Sequence, residues 1–368
     1  MPKNTQEFSL PRQKAALLAL ECLGFFRPAG SVWVLLLVLR GFSLVEIGLA
    51  EAVFHVVSLC FELPSGLLAD LLGRKRTLAA SQAMFLLSAL LMVLSGGMGG
   101  VCLSLTASAL GYNLQSGTRE AITYESMKQA GQEADYLRFS SLQNGVFRFT
   151  DAVSMLLAGV TVLLGWRRAY LLDVLLSLLG LGAALCLTEP VRERPAVTAR
   201  TLPAALRGIV RGAWDLLRTD RTAVRIMVVN ALVGACATLT GFFLQQRVQA
   251  AVPEPALLGP ALFLLGMGGG LAGLVSGRLD RLPYGRAAVL TGIGTALCVL
   301  AARNGSLPAL LAAGLLSGLL DDSLQLVSDK RLNDRFPSAQ RATLVSVSSM
   351  TFSLFMLPLA PLAGWWFS

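Results

Sequence analysis

Residues 45–76 read VEIGLAEAVFHVVSLCFELPSGLLADLLGRKR. The first part, 45–70, is predominantly apolar and longer than the roughly 20 residues a helix needs to cross a bilayer at 1.5 Å per residue. It ends at Gly73 and three consecutive cations, Arg74, Lys75 and Arg76, and the next apolar run begins at once. Long apolar runs separated by short basic connections recur along the chain. The 368 residues are 54% hydrophobic and 14% charged, and the mean hydropathy is +0.64. A soluble chain is about 25% charged, so a water-soluble core is excluded and a bilayer is the solvent these residues fit. The net charge is +9. It does not indicate nucleic-acid binding, because the cations sit in the connections between apolar runs.

Eleven candidate spans follow, at roughly 15–39, 45–70, 75–97, 99–126, 138–163, 168–188, 223–246, 256–279, 285–303, 307–329 and 341–367. A backbone in lipid must satisfy its own hydrogen bonds, and nothing shows the alternation of a membrane barrel, so an all-α polytopic protein is expected. With the N-terminus in the cytoplasm, most of the 31 Lys and Arg fall on the inner side: Lys3, Arg12 and Lys14, the Arg74–Arg76 loop, Lys128 and Arg138, and the clusters at 192–221, 278–286 and 330–341. Arg40, Arg167, Arg168, Arg247 and Arg303 fall outside. That asymmetry orients the chain with its N-terminus inside. The long basic connection at 189–222 divides the chain into an N-terminal six-helix bundle, 1–188, and a C-terminal bundle of five spans, 223–368. Within it, Leu206, Ile209, Val210, Ala213, Trp214 and Leu217 share one helical face, as in a helix lying on the membrane surface.

The run Gly66-Leu67-Leu68-Ala69-Asp70-Leu71-Leu72-Gly73-Arg74-Lys75-Arg76 resembles the G-x-L-A-D-x-x-G-R-[KR]-[KR] signature that follows the second span in the major facilitator superfamily. A decayed echo, Gly277, Asp280, Arg281, Gly285 and Arg286, follows span 8, as in a fold of two related halves. Phe61-Glu62-Leu63-Pro64-Ser65-Gly66, the segment from Ser116 to Ser126, and Arg341-Ala342-Thr343 also resemble bacterial members. The resemblance implies two helical bundles that alternate access to a central site. It assigns Gly66, Asp70, Gly73, Arg74, Lys75 and Arg76 to an inter-bundle gate, with Asp70 facing the start of span 11. Ser338 would cap that helix and Arg341 would add a cation. Two features depart from the family pattern. The antiporter-associated G-P-x-x-G-G run is absent from span 5, so the resemblance does not by itself imply drug–proton antiport. The sequence also stops at Trp365-Trp366-Phe367-Ser368, where twelve-span members turn into the last span, so either span 12 is missing or the count of eleven is one short.

Ionisable groups inside a span mark cavities or buried pairs. Glu51, His55, Ser58 and Glu62 are spaced 4, 3 and 4 apart and stack on one face of span 2. Tyr112, Ser116, Arg119 and Thr123 share a face of span 4, with Glu62 a candidate counter-charge for Arg119. Arg148 and Asp151 are placed to pair within span 5. Asp321-Asp322 sit together in span 10, either in a low-dielectric site where mutual repulsion favours holding a proton or hydrated near the cytoplasmic third. The cavity candidates are therefore Glu51, His55, Glu62, Tyr112, Arg119, Arg148, Asp151, Asp321 and Asp322. The deep groups also include Glu21, Glu120 and Arg27. Acids exceed bases among them, which points to protons or a cationic solute. Pro28 is expected to kink span 1.

His55 is the only histidine and the six cysteines form no C-x-x-C pair, so no metal is expected. Phosphate-loop and hydrolase motifs are absent, so neither a cofactor, nor ATP, nor an enzymatic activity is expected. The expected function is secondary transport of a small solute by a monomer in the inner (plasma) membrane, with protons as candidate coupling ion and export favoured. The alternative is a non-transporting membrane sensor or assembly factor on the same fold.

Overall fold

The computed structural model describes residues 8–191, 201–336 and 341–368. Lys3, Arg192, Arg194, Pro195, Arg200 and Ser338 lie outside the described residues. Among those described there is no strand. The first stretch is broken into α1 (Leu10–Phe25), α2 (Pro28–Ser31) and α3 (Trp33–Leu39). Pro28 lacks an N–H and clashes with the preceding turn, so the break falls just before it, as the kink expectation required. Then come α4 (Leu44–Leu72), α5 (Arg74–Leu94), α6 (Met98–Gln115), α7 (Thr118–Gln129), α8 (Tyr136–Leu156), α9 (Ala158–Leu164) and α10 (Trp166–Cys186). The connection carries α11 (Leu202–Thr219), and α12 (Arg221–Ala251), α13 (Leu258–Asp280), α14 (Tyr284–Asn304), α15 (Leu307–Arg335) and α16 (Arg341–Phe367) complete the chain.

Among the described residues eight helices are long and apolar enough to cross a membrane: α4, α5, α10 and the five from α12 to α16, with the turn at 255–257 extending α13. A ninth arises if the pair at Glu133–Leu156 and Ala158–Leu164, bent by 49°, is one span. The stretches expected at 15–39 and 99–126 are helical but interrupted. In the second, Ser116 and Gly117 part α6 from α7, and Gly117 adopts φ 70°, a left-handed conformation that glycine takes without steric cost. On α11, Val210, Trp214 and Leu217 are exposed, which suits an apolar face resting on lipid.

The chain divides into two compact units. One comprises Met1–Arg27, Leu63–Asp151 and Tyr170–Leu206. Its core joins Leu17 and Leu20 of α1, Leu78 of α5, Ile122 and Met127 of α7, and Ala184 and Leu187 around the end of α10. Where α1, α5 and α10 cross, Gly24 and Gly180 leave a notch filled by the fully buried Gln82.

The other unit comprises Pro28–Glu62, Ala152–Ala169 and Arg207–Ser368. It therefore joins the second half of the chain to parts of spans 1, 2 and 5 from the first half. That seam is a backbone-to-backbone contact. A Cβ on Gly48 of α4 would lie 2.8 Å from the Ala360 carbonyl carbon and the Pro361 Cα of α16, and one on Gly364 would lie 2.7 Å from the Leu44 carbonyl carbon. On α9, a Cβ on Gly159 would lie 2.6 Å from the Pro255 carbonyl oxygen. Small residues let helices approach this closely, and dispersion then supplies the attraction.

Candidate gating and solute sites

In the first unit the signature loop is held by carboxylates. Gly73 turns the chain with φ 107°, and α5 starts at Arg74. The first N–H groups of a helix lack intrahelical acceptors and favour an anion. Glu189 supplies it: Oε1 accepts from the Arg74 N–H at 2.8 Å and Oε2 from the Lys75 N–H at 2.7 Å. The Arg74 guanidinium pairs with Asp70 at 2.9 Å and with Glu125 of α7 at 3.4 Å. Thus the signature residues Asp70, Gly73, Arg74 and Lys75 share one network, while a Cβ on Gly66 would meet open space. Ser338, expected to cap the start of span 11 that Asp70 would face, lies outside the described residues.

The echo of this loop in the second unit is tied down in a similar way. Asp280 pairs with Lys330, and with Arg331 of α15 at 3.6 Å. Arg331 also donates to the carbonyls of Asp280 and Leu282.

The break in span 4 places Arg119 in the first turn of α7. Its counter-charge is Glu21 of α1, fully buried, at 3.1 Å, together with Glu120 at 2.9 Å. Glu21 reaches Arg119 because α1 packs against α7. Gln143 of α8 donates to Glu21 at 3.3 Å, and Thr123 donates to the Arg119 carbonyl. Phe25 and Phe147 stack edge to face beside the guanidinium. This is a charged cluster on three helices at a helix discontinuity, the setting in which transporters place solute sites. Arg148 acts electrostatically on Asp151 and also lies over the Phe147 ring. Tyr112 is 55% exposed.

In the second unit, the face of α4 that carries Glu51, His55, Ser58 and Glu62 is buried, as its spacing requires, and it meets α16. His55 Nε2 lies 3.3 Å from Glu51 and Nδ1 lies 3.2 Å from the Ser353 hydroxyl. With the Nε2 proton directed at the carboxylate, Nδ1 accepts from serine. Glu62 accepts from Ser349 at 3.1 Å and from Ser346. Phe352 packs on the imidazole at 5.6 Å and also approaches Gly234 of α12, beside which lies the Asp321 carboxylate. Asp321 Oδ1 has no hydrogen-bond partner. The candidates Glu51, His55, Glu62 and Asp321 thus gather along α4, α12, α15 and α16, with Asp322 adjoining Asp321.

Sequence reasoning missed Asp173, Glu125 and Glu189. Asp173 is buried in α10 and acts electrostatically on the half-buried Arg27 guanidinium, which stacks on Phe85 at 3.5 Å. A lone carboxylate in an apolar run was the available signal. Glu125 and Glu189 carried none, since only the fold brings them to Arg74.

Over residues 16–302 the sequence matches the family model described as Major Facilitator Superfamily. The chain belongs to this superfamily. It is a multi-pass membrane protein of a transporter family. A curated relative, the uncharacterized MFS-type transporter YxaM of Bacillus subtilis (strain 168), is 39% identical over 59 residues, 16% of this chain. That alignment spans only 14% of YxaM. The nucleoside transporter NupG superposes with a TM-score of 0.73 at 16% identity, covering 96% of this chain and 90% of NupG. A D-xylose-proton symporter gives 0.67 at 14% identity, covering 96% and 88%. A bacterial homologue of the human lysosomal transporter Spinster, in an inward-facing and unoccupied conformation, gives 0.70 at 14% identity, covering 97% and 82%. These likenesses establish the fold.

Proposed function

We propose that this superfamily member moves a small cationic solute by alternating access as a monomer in the inner (plasma) membrane, N-terminus in the cytoplasm, with proton movement driving export. The observation that supports this reading is the buried run on α4. Glu51, His55 and Glu62 are protonatable, and His55 and Glu62 hydrogen-bond to Ser353 and Ser349 of α16, across the seam between spans of the two halves. Protonating a carboxylate removes the charge that strengthens its hydrogen bonds. Proton occupancy therefore changes how firmly α4 holds α16, which is the link a coupled carrier needs. The excess of acids over bases inside the spans favours a cation as the transported species.

The test is flux in proteoliposomes with an imposed pH gradient, screened over organic cations. Solute should move against the proton flow, and Glu62→Gln should abolish the dependence on the gradient while leaving protein insertion intact. Equal flux with and without a gradient in the unaltered protein removes proton coupling. No flux of any solute, with a stable partner recovered by pull-down, favours the non-transporting alternative.

A further inference from the structure

The exposed apolar flank of α11 suits lipid, and the flank beside it carries charge. Arg207, Arg211 and Arg218 are spaced 4 and 7 apart, which sets them in one row along the helix. All three are exposed. Val210, Trp214 and Leu217 form the neighbouring row and are also exposed. The rows meet at Trp214, where the Arg218 guanidinium lies over the indole ring at 4.5 Å. Among the described residues none of the three arginines is in an ion pair. Asp215 is the one carboxylate on α11.

The level of the helix is set by its attachment to the second unit. Only Asp220 separates α11 from α12, which is long and apolar enough to cross a membrane. Asp220 caps α12 and pairs with Arg335 of α15 at 2.9 Å. Ala213 packs on a cluster that joins Ala223 and Ile226 of α12, Leu332 of α15 and Leu344 of α16. The chain therefore folds back at Asp220, and α11 lies beside the ends of these spans instead of extending past them into water. That is the depth at which hydrocarbon gives way to headgroups.

Hydrophobicity explains the row of Val210, Trp214 and Leu217 on any bilayer. It does not explain a parallel row of exposed arginines. We propose that α11 docks on an anionic phospholipid surface, with Arg207, Arg211 and Arg218 on lipid phosphates and Trp214 sunk at the headgroup boundary. Guanidinium favours phosphate because its fork of donors matches the oxygens. Tryptophan suits the boundary, with an apolar ring and one donor. A zwitterionic surface takes the apolar row equally well but brings ammonium groups to the arginines, so α11 distinguishes lipids by charge. Each arginine near an anionic surface strengthens attachment roughly fivefold, and salt screens that gain.

The full chain is placed in nanodiscs of phosphatidylcholine alone or of phosphatidylcholine mixed with phosphatidylglycerol, and amide hydrogen exchange over 202–219 is followed by mass spectrometry. Exchange should be roughly tenfold slower or more in the mixed discs. Salt that shortens the Debye length to about 3 Å should erase the difference. Soluble glycerol phosphate added to phosphatidylcholine discs should not reproduce the protection. The combined variant Arg207→Gln, Arg211→Gln and Arg218→Gln should exchange in the mixed discs as it does in phosphatidylcholine, with the parent's melting midpoint in phosphatidylcholine. The corresponding Lys variant should keep part of the protection. Equal exchange of the parent in both discs, which would leave α11 on lipid by hydrophobicity alone, would overturn the assignment. So would protection that survives high salt or the Gln variant, or protection by glycerol phosphate without phosphatidylglycerol.

Discussion

Replacing Gly48 or Gly364 by alanine should loosen the contact between α4 and α16. A Cβ on Gly48 would sit 2.8 Å from two backbone atoms of Ala360 and Pro361, and one on Gly364 would sit 2.7 Å from the Leu44 carbonyl carbon and 3.0 Å from the Val45 Cα. Ordinary contact begins at 3.4 Å, so the facing backbone must retreat by more than half an ångström. No flexible side chain is there to absorb the shift, and a close-packed interior transmits it along the helix. Overpacking of this kind costs about 1–3 kcal/mol. The two glycines share one interface, so the double variant should cost less than the sum of the singles. Gly241→Ala is the control, since its Cβ would meet nothing within 4 Å and alanine favours helix. The measurements are the thermal midpoint in detergent and solute flux in liposomes. Both seam variants should melt several degrees lower and change flux, whereas the control should match or exceed the parent. If Gly48→Ala and Gly364→Ala behave like Gly241→Ala, the close approach of α4 and α16 is not what holds this seam.

Three further outcomes are expected. Removing the Glu21 carboxylate strands Arg119, whose side chain is 19% exposed and keeps Glu120, so Glu21→Ala should cost roughly 2–3 kcal/mol, somewhat less than a fully buried pair. A double-mutant cycle with Arg119→Met should then show favourable coupling, and simple additivity would contradict the ion pair. Glu189→Ala leaves the Arg74 and Lys75 N–H groups of α5 without their anion, and a loss of about 1 kcal/mol in midpoint stability is expected. Asp220 caps α12 through the Thr222 and Ala223 N–H groups, and the Arg335 side chain with those amides holds its carboxyl below the usual range. Its folded value is depressed, so its contribution is complete above the unfolded value of about 3.9 and is lost as pH falls through the folded one. A midpoint-versus-pH series should show that acid-side loss in the parent and not in Asp220→Asn.

Part of the site was legible because helical spacing is a local property. Glu51, His55, Ser58 and Glu62 recur at 4, 3 and 4, and that arithmetic alone puts them on one helix face, which the fold then buries. The partner of Arg119 was not. Glu21 lies 98 positions away, and nothing in the spacing of either segment says that α1 meets α7 there. The same holds for Glu189, which reads as linker and serves as the anion of α5.

The sequence by itself determined that this chain is an all-α membrane protein with a major-facilitator signature. Apolar run length, basic loops and the Gly66–Arg76 motif are properties of consecutive residues, and the bilayer reads them one segment at a time. Only the tertiary structure decided where spans break and which charges neutralise one another. It also decided that spans of the first half join the second through glycine contacts at Gly48, Gly159 and Gly364. Those outcomes depend on which helix faces which, and that is set by packing between segments distant in the chain, where a missing Cβ or a buried carboxylate acts only once its neighbour has arrived.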